Sequence, residues 1–457
     1  MTTLIIISTL FLLLSITYIS LYKHNKKFNQ TGSIQISDTY YIISCFLIIT
    51  VFILKIIYSS KSYFYGDMYS FHEWMHSINN EGLAGYYSKY GVSYPPFHIF
   101  IIYIIGKINS LLNLTDFSIL SIVLFKFPAI LFDFLSCLLL LKIGRNHLND
   151  LPLFLVILLF STNPAIIINS TQWGQVDSIY TFFIAYMCYY ISEKKMCKAY
   201  YSFAIAILFK YQAIIFTPIL IYGIIENVFL INFQFKNMFK NILQGLSAVF
   251  LMLLSHIPFI FGNNAALYNI KSIIKQYTGS LTAYPFASWN AYNIWELFGL
   301  NLVSQENKFL NITYKTWGTI SIILLVVFSA ILWLKFTQKL KNKSANNIYF
   351  LISGFIISTM FMFSVRMHER YLYPVILLLF IFYALSNNIR IFISAILFSI
   401  MQYWNVGHIF YNLNSSTNSM ISEVFPRLIS LFTLLTWGYF VFSIFKLLKN
   451  SPCIIKK

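Results

Sequence analysis

Hydrophobic positions along the chain fall into long runs that short polar segments separate. Examples are residues 4–21, 40–57, 151–160, 320–334 and 428–447. A helix needs about 20 apolar residues to cross the ~30 Å hydrocarbon core of a bilayer, and a helix satisfies its backbone hydrogen bonds without water. The pattern therefore predicts an all-α polytopic membrane protein, in which neighbouring helices support the shorter runs.

The composition agrees with this pattern and excludes a soluble protein. Of the 457 residues, 58% are hydrophobic and 10% are charged. In a soluble chain the net charge of +18 would indicate nucleic acid binding, but here most Lys and Arg residues lie in short loops, as the positive-inside rule describes. We therefore expect the bilayer, and no nucleic acid, as a partner. The basic clusters lie at 23–27, 142–145, 194–198, 236–240, 335–343, 390 and 446–457.

Placing the basic clusters in the cytoplasm defines a topology. The loops at 59–96, 162–177, 262–315, 365–371 and 406–426 then face outside. The first apolar run lacks a basic n-region and a small-residue cleavage site, so we interpret it as a retained span with its N-terminus outside.

This topology closes only if residues 97–124 and 199–226 cross twice or turn back, so we expect short or broken helices there. The chain then has about 13–15 transmembrane or re-entrant helices and a cytoplasmic C-terminus. We expect three segments along it: an extra N-terminal span with a basic loop at 1–38, a transmembrane module at 39–261 that includes the outer loop 59–96, and an outer aromatic loop with a C-terminal transmembrane module at 262–457.

Acidic residues are rare in the chain, so each can be considered separately. Seven of the 14 lie at span ends or in polar loops, where solvent explains them. Ionisable groups elsewhere in a membrane protein are candidates for function. Five carboxylates remain on that basis: Asp67, Glu73, Asp133, Asp177 and Glu369.

Asp67 follows the second apolar run in the stretch FYGDMYSFHEWMHS. Residues 68–80 have the pattern of an amphipathic helix at the membrane interface. Asp67 is either the N-cap of this helix or a catalytic carboxylate, and one residue can have both roles. The apolar face of the helix is expected to carry Met68, Phe71, Met75 and Ile78, and the polar face His72, Glu73, His76 and Asn80.

His72 and His76 belong to the letters HEWMH, which match the zinc motif H-E-x-x-H. A zinc site also needs a third ligand and a water-shielded cleft, and one short match in a long chain is weak support. The five cysteines are scattered and form neither a disulfide nor a metal framework. We therefore expect no metal site.

A dense polar patch, STNPAIIINSTQWGQVDSIY at 161–180, interrupts a membrane run. Asp177 is either the cap of the next helix or part of a sugar-facing surface with Trp173 and Gln175. An exposed loop has no need of a Trp between two amides, so we favour the sugar-facing surface.

Two further stretches combine polar and aromatic residues. Lys210, in FKYQA, lies within an apolar stretch and either snorkels to the interface or pairs with an anion, and with Gln212 it is expected at the outer face. Trp289, Asn290 and Asn293, in YPFASWNAYNIW, are suited to carbohydrate binding, but equally to an interfacial aromatic belt.

Together these stretches resemble the GT-C glycosyltransferases, polytopic enzymes that use a polyprenyl-phosphate-linked sugar and carry a catalytic acidic residue in the first large outer loop. The chain is most similar to the branch with bacterial mannosyltransferases of the GPI-mannosyltransferase type and dolichyl-phosphoglucose glucosyltransferases. It departs from the family in an additional N-terminal span and in Lys-Tyr-Gln where Lys-Pro-Gln is common. The matching pieces follow the family order: Asp67, YPPF at 94–97, KFPAILFD at 126–133, NP…WGQVDS at 163–178, FKYQA at 209–213, WNAYNIW at 289–295 and RMHERYLYP at 366–374.

The resemblance implies an inverting transfer of a hexose, mannose or glucose, in cell-surface glycan or glycolipid assembly. Asp67 is expected to take the proton of the acceptor hydroxyl as a general base. A monophosphate leaving group needs no metal and the chain has no DxD cluster, so we expect no cofactor beyond the polyprenyl-phosphate sugar as co-substrate. The groups expected to bind the donor phosphate are Lys210, Arg366, His368 and Arg370.

Glu369 has three possible roles, since it can orient an arginine, bind a sugar hydroxyl or form an internal salt bridge. The acceptor is expected to be a lipid-linked or cell-surface glycan, at the outer face of a bacterial cytoplasmic membrane or the luminal face of the ER. A lipid-linked oligosaccharide flippase and a polysaccharide polymerase are the alternatives, although a transporter usually has repeated halves. The residues expected to bind sugar or acceptor are Glu73, Tyr94, Trp173, Gln175, Asp177, Gln212, Trp289, Asn290, Asn293 and Glu369.

Overall fold

The computed structural model describes residues 2–24, 37–84, 86–91, 94–230, 234–260, 270–339, 347–414 and 424–450. Helices follow one another through these ranges, and each strand within them has two residues. The all-α architecture is therefore confirmed. Parts of the basic clusters that define the predicted topology, at 25–27, 340–343 and 451–457, lie outside the described residues.

The chain up to residue 282 forms fourteen α-helices, with two π-helical segments, Ile167–Trp173 and Ile225–Leu230, and a 3-10 helix, Tyr211–Phe216. Pro95 precedes α5 and Pro96 is its first residue, so the two prolines do set the entry into this helix. The helices are α1 (Thr2–His24), α2 (Asp38–Ser59), α3 (Tyr65–Glu81), α4 (Tyr86–Tyr90), α5 (Pro96–Leu111), α6 (Ile119–Gly144), α7 (Asp150–Ser161), α8 (Pro164–Ile166), α9 (Asp177–Ser192), α10 (Met196–Phe209), α11 (Thr217–Ile224), α12 (Phe235–Leu254), α13 (Ile257–Ile260) and α14 (Ile270–Thr282).

The remaining chain contains six helices and four short strands. Strand β1 (Ser288–Trp289) pairs in parallel with β4 (Met367–His368), which places Ser288 beside Met367 and Trp289 beside His368. Strands β2 (Lys308–Phe309) and β3 (Ile312–Thr313) form an antiparallel pair. The elements are β1 (Ser288–Trp289), α15 (Ile294–Leu297), β2 (Lys308–Phe309), β3 (Ile312–Thr313), α16 (Tyr314–Lys339), α17 (Ile348–Phe363), β4 (Met367–His368), α18 (Pro374–Ser386), α19 (Ile389–Asn414) and α20 (Val424–Asn450).

Within the described ranges, nine helical stretches are long and apolar enough to cross a membrane, and four further apolar helices have 10–17 residues. The protein is thus a multi-pass integral membrane protein, while its sidedness and its total of crossings stay predictions. The nine stretches are Thr2–His24, Asp38–Ser59, Ile119–Gly144, Asp150–Trp173, Tyr211–Leu230, Phe235–Ile260, Tyr314–Lys339, Ile389–Asn412 and Val424–Lys449.

The helices are interrupted where the topology requires it. Between residues 97 and 124, α5 ends at Leu111 and α6 begins at Ile119. Between residues 199 and 226, α10 ends at Phe209, and Lys210 is extended before the 3-10 helix. The prediction of broken helices in both segments is confirmed.

The described chain divides into two compact units, each built from segments that are separate in sequence. The first comprises Met1–Lys55, Leu131–Asn169 and Pro285–Lys457, and the second comprises Ile56–Ile130 and Ser170–Tyr284. The division into 1–38, 39–261 and 262–457 stays a prediction.

In the first unit, helices α16 to α20 pack against one another in chain order, and α1 packs on α19. A buried ion pair lies within it, with Lys55 Nζ 3.0 Å from Asp133 Oδ2. The Tyr373 hydroxyl donates to the other oxygen of Asp133 at 2.8 Å. Asp133, which the sequence analysis leaves without a role, therefore has internal partners.

In the second unit, α3 packs on α5. The four apolar residues predicted on one face of α3 are all buried, in a cluster with Ile99, Ile102 and Ile105 of α5. The amphipathic helix is confirmed, with bounds close to the predicted 68–80. This packing fixes the helix that carries Asp67.

Candidate functional site

Asp67 lies in the first turn of α3, third from its start. Phe64 is the N-cap, and no side chain caps the helix. The capping role considered for Asp67 is therefore wrong, although a carboxylate in a first turn is still stabilised by the helix dipole. The groups that orient the Asp67 carboxylate belong to a distant part of the sequence.

Two side chains of the polar patch donate hydrogen bonds to one oxygen of Asp67. The Trp173 Nε1–H donates to Oδ2 at 2.7 Å, and the Gln175 amide donates to the same atom. The Trp173 ring also stacks on Phe64, with centroids 4.4 Å apart. Among the described residues, Oδ1 of Asp67 has no hydrogen-bond partner, so the carboxylate is held by one oxygen and presents the other.

The backbone before Trp173 explains how these donors reach Asp67. The chain passes from α8 into the π-helical segment Ile167–Trp173. Such segments are rare in proteins, and those that occur are often found at functional sites. Gly174 then takes φ +89, in the left-handed region that favours glycine, and α9 begins at Asp177. The tight reversal at Gly174 places Trp173 and Gln175 side by side.

Trp173 and Gln175 are buried, with 2% and 1% of each residue exposed. They contact protein groups rather than forming the open surface expected of a sugar-facing patch. Tyr94 joins the same network, because its hydroxyl donates to Gln175 Oε1 at 3.3 Å. Tyr94, Trp173 and Gln175 are thus brought together with Asp67, and their direct contact with a sugar stays a prediction.

Asp177 and Lys210 form a buried ion pair, with Lys210 Nζ 2.5 Å from Asp177 Oδ1. Val176 is the N-cap of α9, so the capping role considered for Asp177 is wrong. Lys210 pairs with an anion, as one of its two interpretations required, and that anion is a carboxylate of the protein. Its binding to a donor phosphate stays a prediction, as does sugar binding by Gln212 in the adjacent 3-10 helix.

His72 is buried, which corrects its predicted place on the polar face of α3. Its Nδ1 donates to the Met68 carbonyl at 2.9 Å, and its Nε2 accepts from the Phe117 backbone N–H. Burial lowers the pKa of His72 below its ordinary value. Both ring nitrogens are thus used in hydrogen bonds, which argues against a zinc ligand.

His76 is bound to Asp116, with Nε2 and Oδ2 2.8 Å apart. In the part of the chain that the structure describes, no group of three or more His, Cys, Asp or Glu side chains is placed to hold a metal. His72 and His76 therefore both bind protein groups, and the absence of a metal stays a prediction.

The polar face of α3 borders a cleft of about 360 Å³. Four of the side chains that line the cleft bind one another in two pairs, His76 with Asp116 and Lys89 with Glu81. Glu73 is exposed and has no partner among the described residues. The cleft is lined by Tyr69, His72, Glu73, His76, Ser77, Asn80, Glu81, Lys89, Tyr90, Asp116 and Phe117.

The charged junction VRMHERYLYP lies in the first unit, between α17 and α18. Arg370 Nη1 is 2.7 Å from Glu369 Oε1, and His368 Nδ1 is 3.9 Å from Glu369 Oε2. Glu369 is therefore an internal salt-bridge partner, one of its three proposed roles. Arg366 has φ +63 and donates from Nε to Gln305 at 2.7 Å. Phosphate binding by Arg366, His368 and Arg370 stays a prediction.

Three further candidates of the first unit have contacts within it. Asn293 caps α15 by accepting from the backbone N–H groups of Trp295 and Glu296. Asn290 exchanges hydrogen bonds with Asn301, and the Trp289 ring lies 6.0 Å from that of His368. Their binding of sugar or acceptor stays a prediction.

Lys126 was not predicted as a site residue. It lies inside α6 and is 0% exposed. Its ammonium donates to backbone carbonyls on both sides of the Asp67 network. A lysine within an apolar run is the signal that indicates such a role, and the same signal did select Lys210.

No family model matches the chain, and no curated protein matches it.

Proposed function

We propose that the protein is an inverting glycosyltransferase that moves a hexose, mannose or glucose, from a polyprenyl-phosphate donor to an acceptor hydroxyl at the outer face of the membrane. One observation carries this proposal: in a multi-pass membrane protein, Asp67 is held through Oδ2 by Trp173 and Gln175 and presents Oδ1. A general base needs this combination of a fixed orientation and an available oxygen.

Asp67 would act in a single displacement. The acceptor oxygen attacks the anomeric carbon, the bond from that carbon to the phosphate oxygen breaks, and the lipid phosphate leaves with the electron pair. Asp67 takes the proton of the attacking hydroxyl. General-base assistance of this kind is worth about 10²–10⁴-fold in rate.

The leaving phosphate needs positive charge where its own negative charge develops. Arg366 and Arg370 are the residues proposed from the sequence for this role, because the planar donors of a guanidinium suit phosphate oxygens. Arg370 and Lys210 each already bind a carboxylate of the protein, Glu369 at 2.7 Å and Asp177 at 2.5 Å. Lys210 is the weaker candidate, because an ammonium has three N–H donors and a guanidinium has five.

The acceptor is proposed to bind along the cleft on α3. Glu73 stands six residues after Asp67 on the same helix, which is about 9 Å along the helix axis and about 120° around it, so the acceptor would extend from the cleft around the helix to reach Asp67. Its carboxylate has no partner among the described residues, and the rings of Tyr69 and Tyr90 line the same cleft. Carboxylates and aromatic rings together suit the hydroxyls and apolar faces of a sugar.

Donor profiling with purified protein and synthetic polyprenyl-phospho-hexoses tests the proposal. We expect Asp67→Asn to abolish transfer while donor binding is kept. Asp38→Asn, which removes the same charge from the exposed first turn of α2, serves as the matched control and should transfer normally. Transfer by Asp67→Asn at the normal rate would show that the base is assigned wrongly. Movement of lipid-linked sugar across liposomes without transfer would favour a flippase.

The phosphate site has a separate test. We expect Arg366→Ala and Arg370→Ala each to weaken binding of the donor, measured by titration with the lipid-linked sugar. Unchanged donor affinity in both variants would remove the junction from the phosphate site and leave the Asp67 assignment intact.

A further inference from the structure

Lys126 is a fully buried lysine whose ammonium is surrounded by backbone oxygens. It lies in α6, with 0% of its surface exposed. Its Nζ donates to the carbonyls of Ser59 at 2.8 Å, Gln172 at 2.7 Å and Thr171 at 3.1 Å, and also to that of Ser62. The four carbonyl oxygens surround the ammonium and act as its ligands.

The carbonyls belong to two segments that end next to each other. Ser59 is the last residue of α2, and Ser62 lies in the connection to α3. Thr171 and Gln172 lie in the last turn of the π-helical segment. Carbonyls at the end of a helix have no partner within that helix, and a cation there also meets the negative end of the helix dipole. One ammonium therefore serves two helix ends.

The ammonium form of the side chain serves more of these acceptors than a neutral amine, which has two N–H donors. An ammonium has three N–H donors for four carbonyl oxygens, so one N–H is shared. A neutral side chain of the same length would leave buried carbonyls without a donor, which proteins rarely tolerate.

Gly174 provides a second, independent sign of this arrangement. A Cβ built on Gly174 would lie 2.9 Å from Lys126 Cγ, closer than side-chain packing allows. The lysine stem therefore passes directly against the turn that separates Trp173 from Gln175, and a glycine is needed there for this contact as well as for its φ of +89.

We propose that Lys126 is the positioning residue of the candidate active site. Asp67 follows Ser62 by five residues, and Trp173 follows Gln172 directly. By binding both segments, the ammonium sets the distance between the carboxylate and its two N–H donors without contacting the substrate. This inference concerns geometry, and its effect on rate rests on the proposed function.

Lys126→Met tests the proposal, with Lys55→Met as the matched control. Lys55 is also a buried lysine of a membrane span, but its partner is the Asp133 carboxylate in the first unit. We expect both variants to unfold more easily. Only Lys126→Met should lower kcat, by about 10²-fold, since a misplacement of about 1 Å costs that much, with the KM for the donor unchanged. An equal fall of kcat in both variants would reduce Lys126 to a structural role.

A readout without turnover separates this inference from the proposed function. Acrylamide quenching of Trp173 is obtained by subtracting the signal of the matching Trp173→Phe protein. We expect Trp173 to be shielded in the wild type and in Lys55→Met, and accessible in Lys126→Met. An unchanged Trp173 signal in Lys126→Met overturns the inference, and an inactive wild type with the expected quenching pattern would overturn only the proposed function.

Lys126→Gln keeps the test decisive if Lys126→Met fails to fold. Its amide retains two N–H donors, so we expect folded protein with intermediate quenching and an intermediate kcat. Quenching and kcat equal to those of the wild type would show that the ammonium does not position the site.

Discussion

Asp177→Asn would show how strongly the buried pair of Asp177 and Lys210 supports the protein. The two charged atoms are 2.5 Å apart, and 0% and 3% of the two side chains are exposed. Removing one partner of a buried pair costs about 3–5 kcal/mol, because the other charge stays buried. The Asn amide oxygen can still accept one hydrogen bond from the ammonium, so we expect the lower end, about 3 kcal/mol.

The free energy of unfolding can be measured by SDS titration in mixed micelles, followed by circular dichroism. Glu193→Gln is the matched control, because Glu193 and Lys195 form an exposed pair 3.4 Å apart in the same unit. Pairs of that kind contribute about 0–1 kcal/mol. A cost of Asp177→Asn no larger than that of Glu193→Gln would refute the reasoning.

The double variant Asp177→Leu/Lys210→Met extends this test to function. With both charges gone, we expect most of the lost stability to return, since apolar replacement of a buried pair is often neutral. Donor affinity should also be normal if the ammonium serves only Asp177. If stability recovers but the donor binds more weakly, Lys210 contributes to binding of the donor phosphate.

Three further predictions use the same preparations. Gly174→Ala should cost about 1–2 kcal/mol for its left-handed backbone alone, whereas Gly438→Ala, with nothing within 4 Å of the added Cβ, should cost nothing in the same titration. Burial lowers the pKa of His72 from an ordinary value of 6.5, so the unfolded chain takes up a proton first, and stability should fall as pH drops below about 6.5. His72→Gln should lack this part of the pH dependence. Tyr94→Phe removes one hydrogen bond to Gln175, worth about 1 kcal/mol, and should lower kcat up to about fivefold; an unchanged kcat would show that Tyr94 does not position the amide.

Local patterns in the sequence predicted the helix that carries Asp67. The spacing of Met68, Phe71, Met75 and Ile78 has the helical period, and all four are buried. The same spacing places His72 on the buried face as well, because it stands four residues after Met68 and three before Met75. Its assignment to the polar face followed its residue type and was wrong. What periodicity cannot give is its partner, the backbone N–H of Phe117, 45 residues away.

The candidate site shows the same limit on a larger scale. Asp67, Trp173 and Gln175 were each selected for their residue type and surroundings. Their contact joins positions more than 100 residues apart, which no spacing rule predicts. Pairing with an anion was one of two interpretations of Lys210, and its partner Asp177 was not predicted, because the burial of Asp177 cannot be read from its neighbours.

The π-helical segment Ile167–Trp173 gives this region a tolerance to a change in length. A π-turn contains one residue more than the α-turn that it replaces, so deleting a single residue between 167 and 173 would convert the segment into an ordinary helix rather than break it. Because both kinds of turn complete the same rotation about the helix axis, the residues after the deletion would keep nearly the same direction. The backbone hydrogen bonds of this segment can therefore change by one residue while Trp173 still faces Asp67.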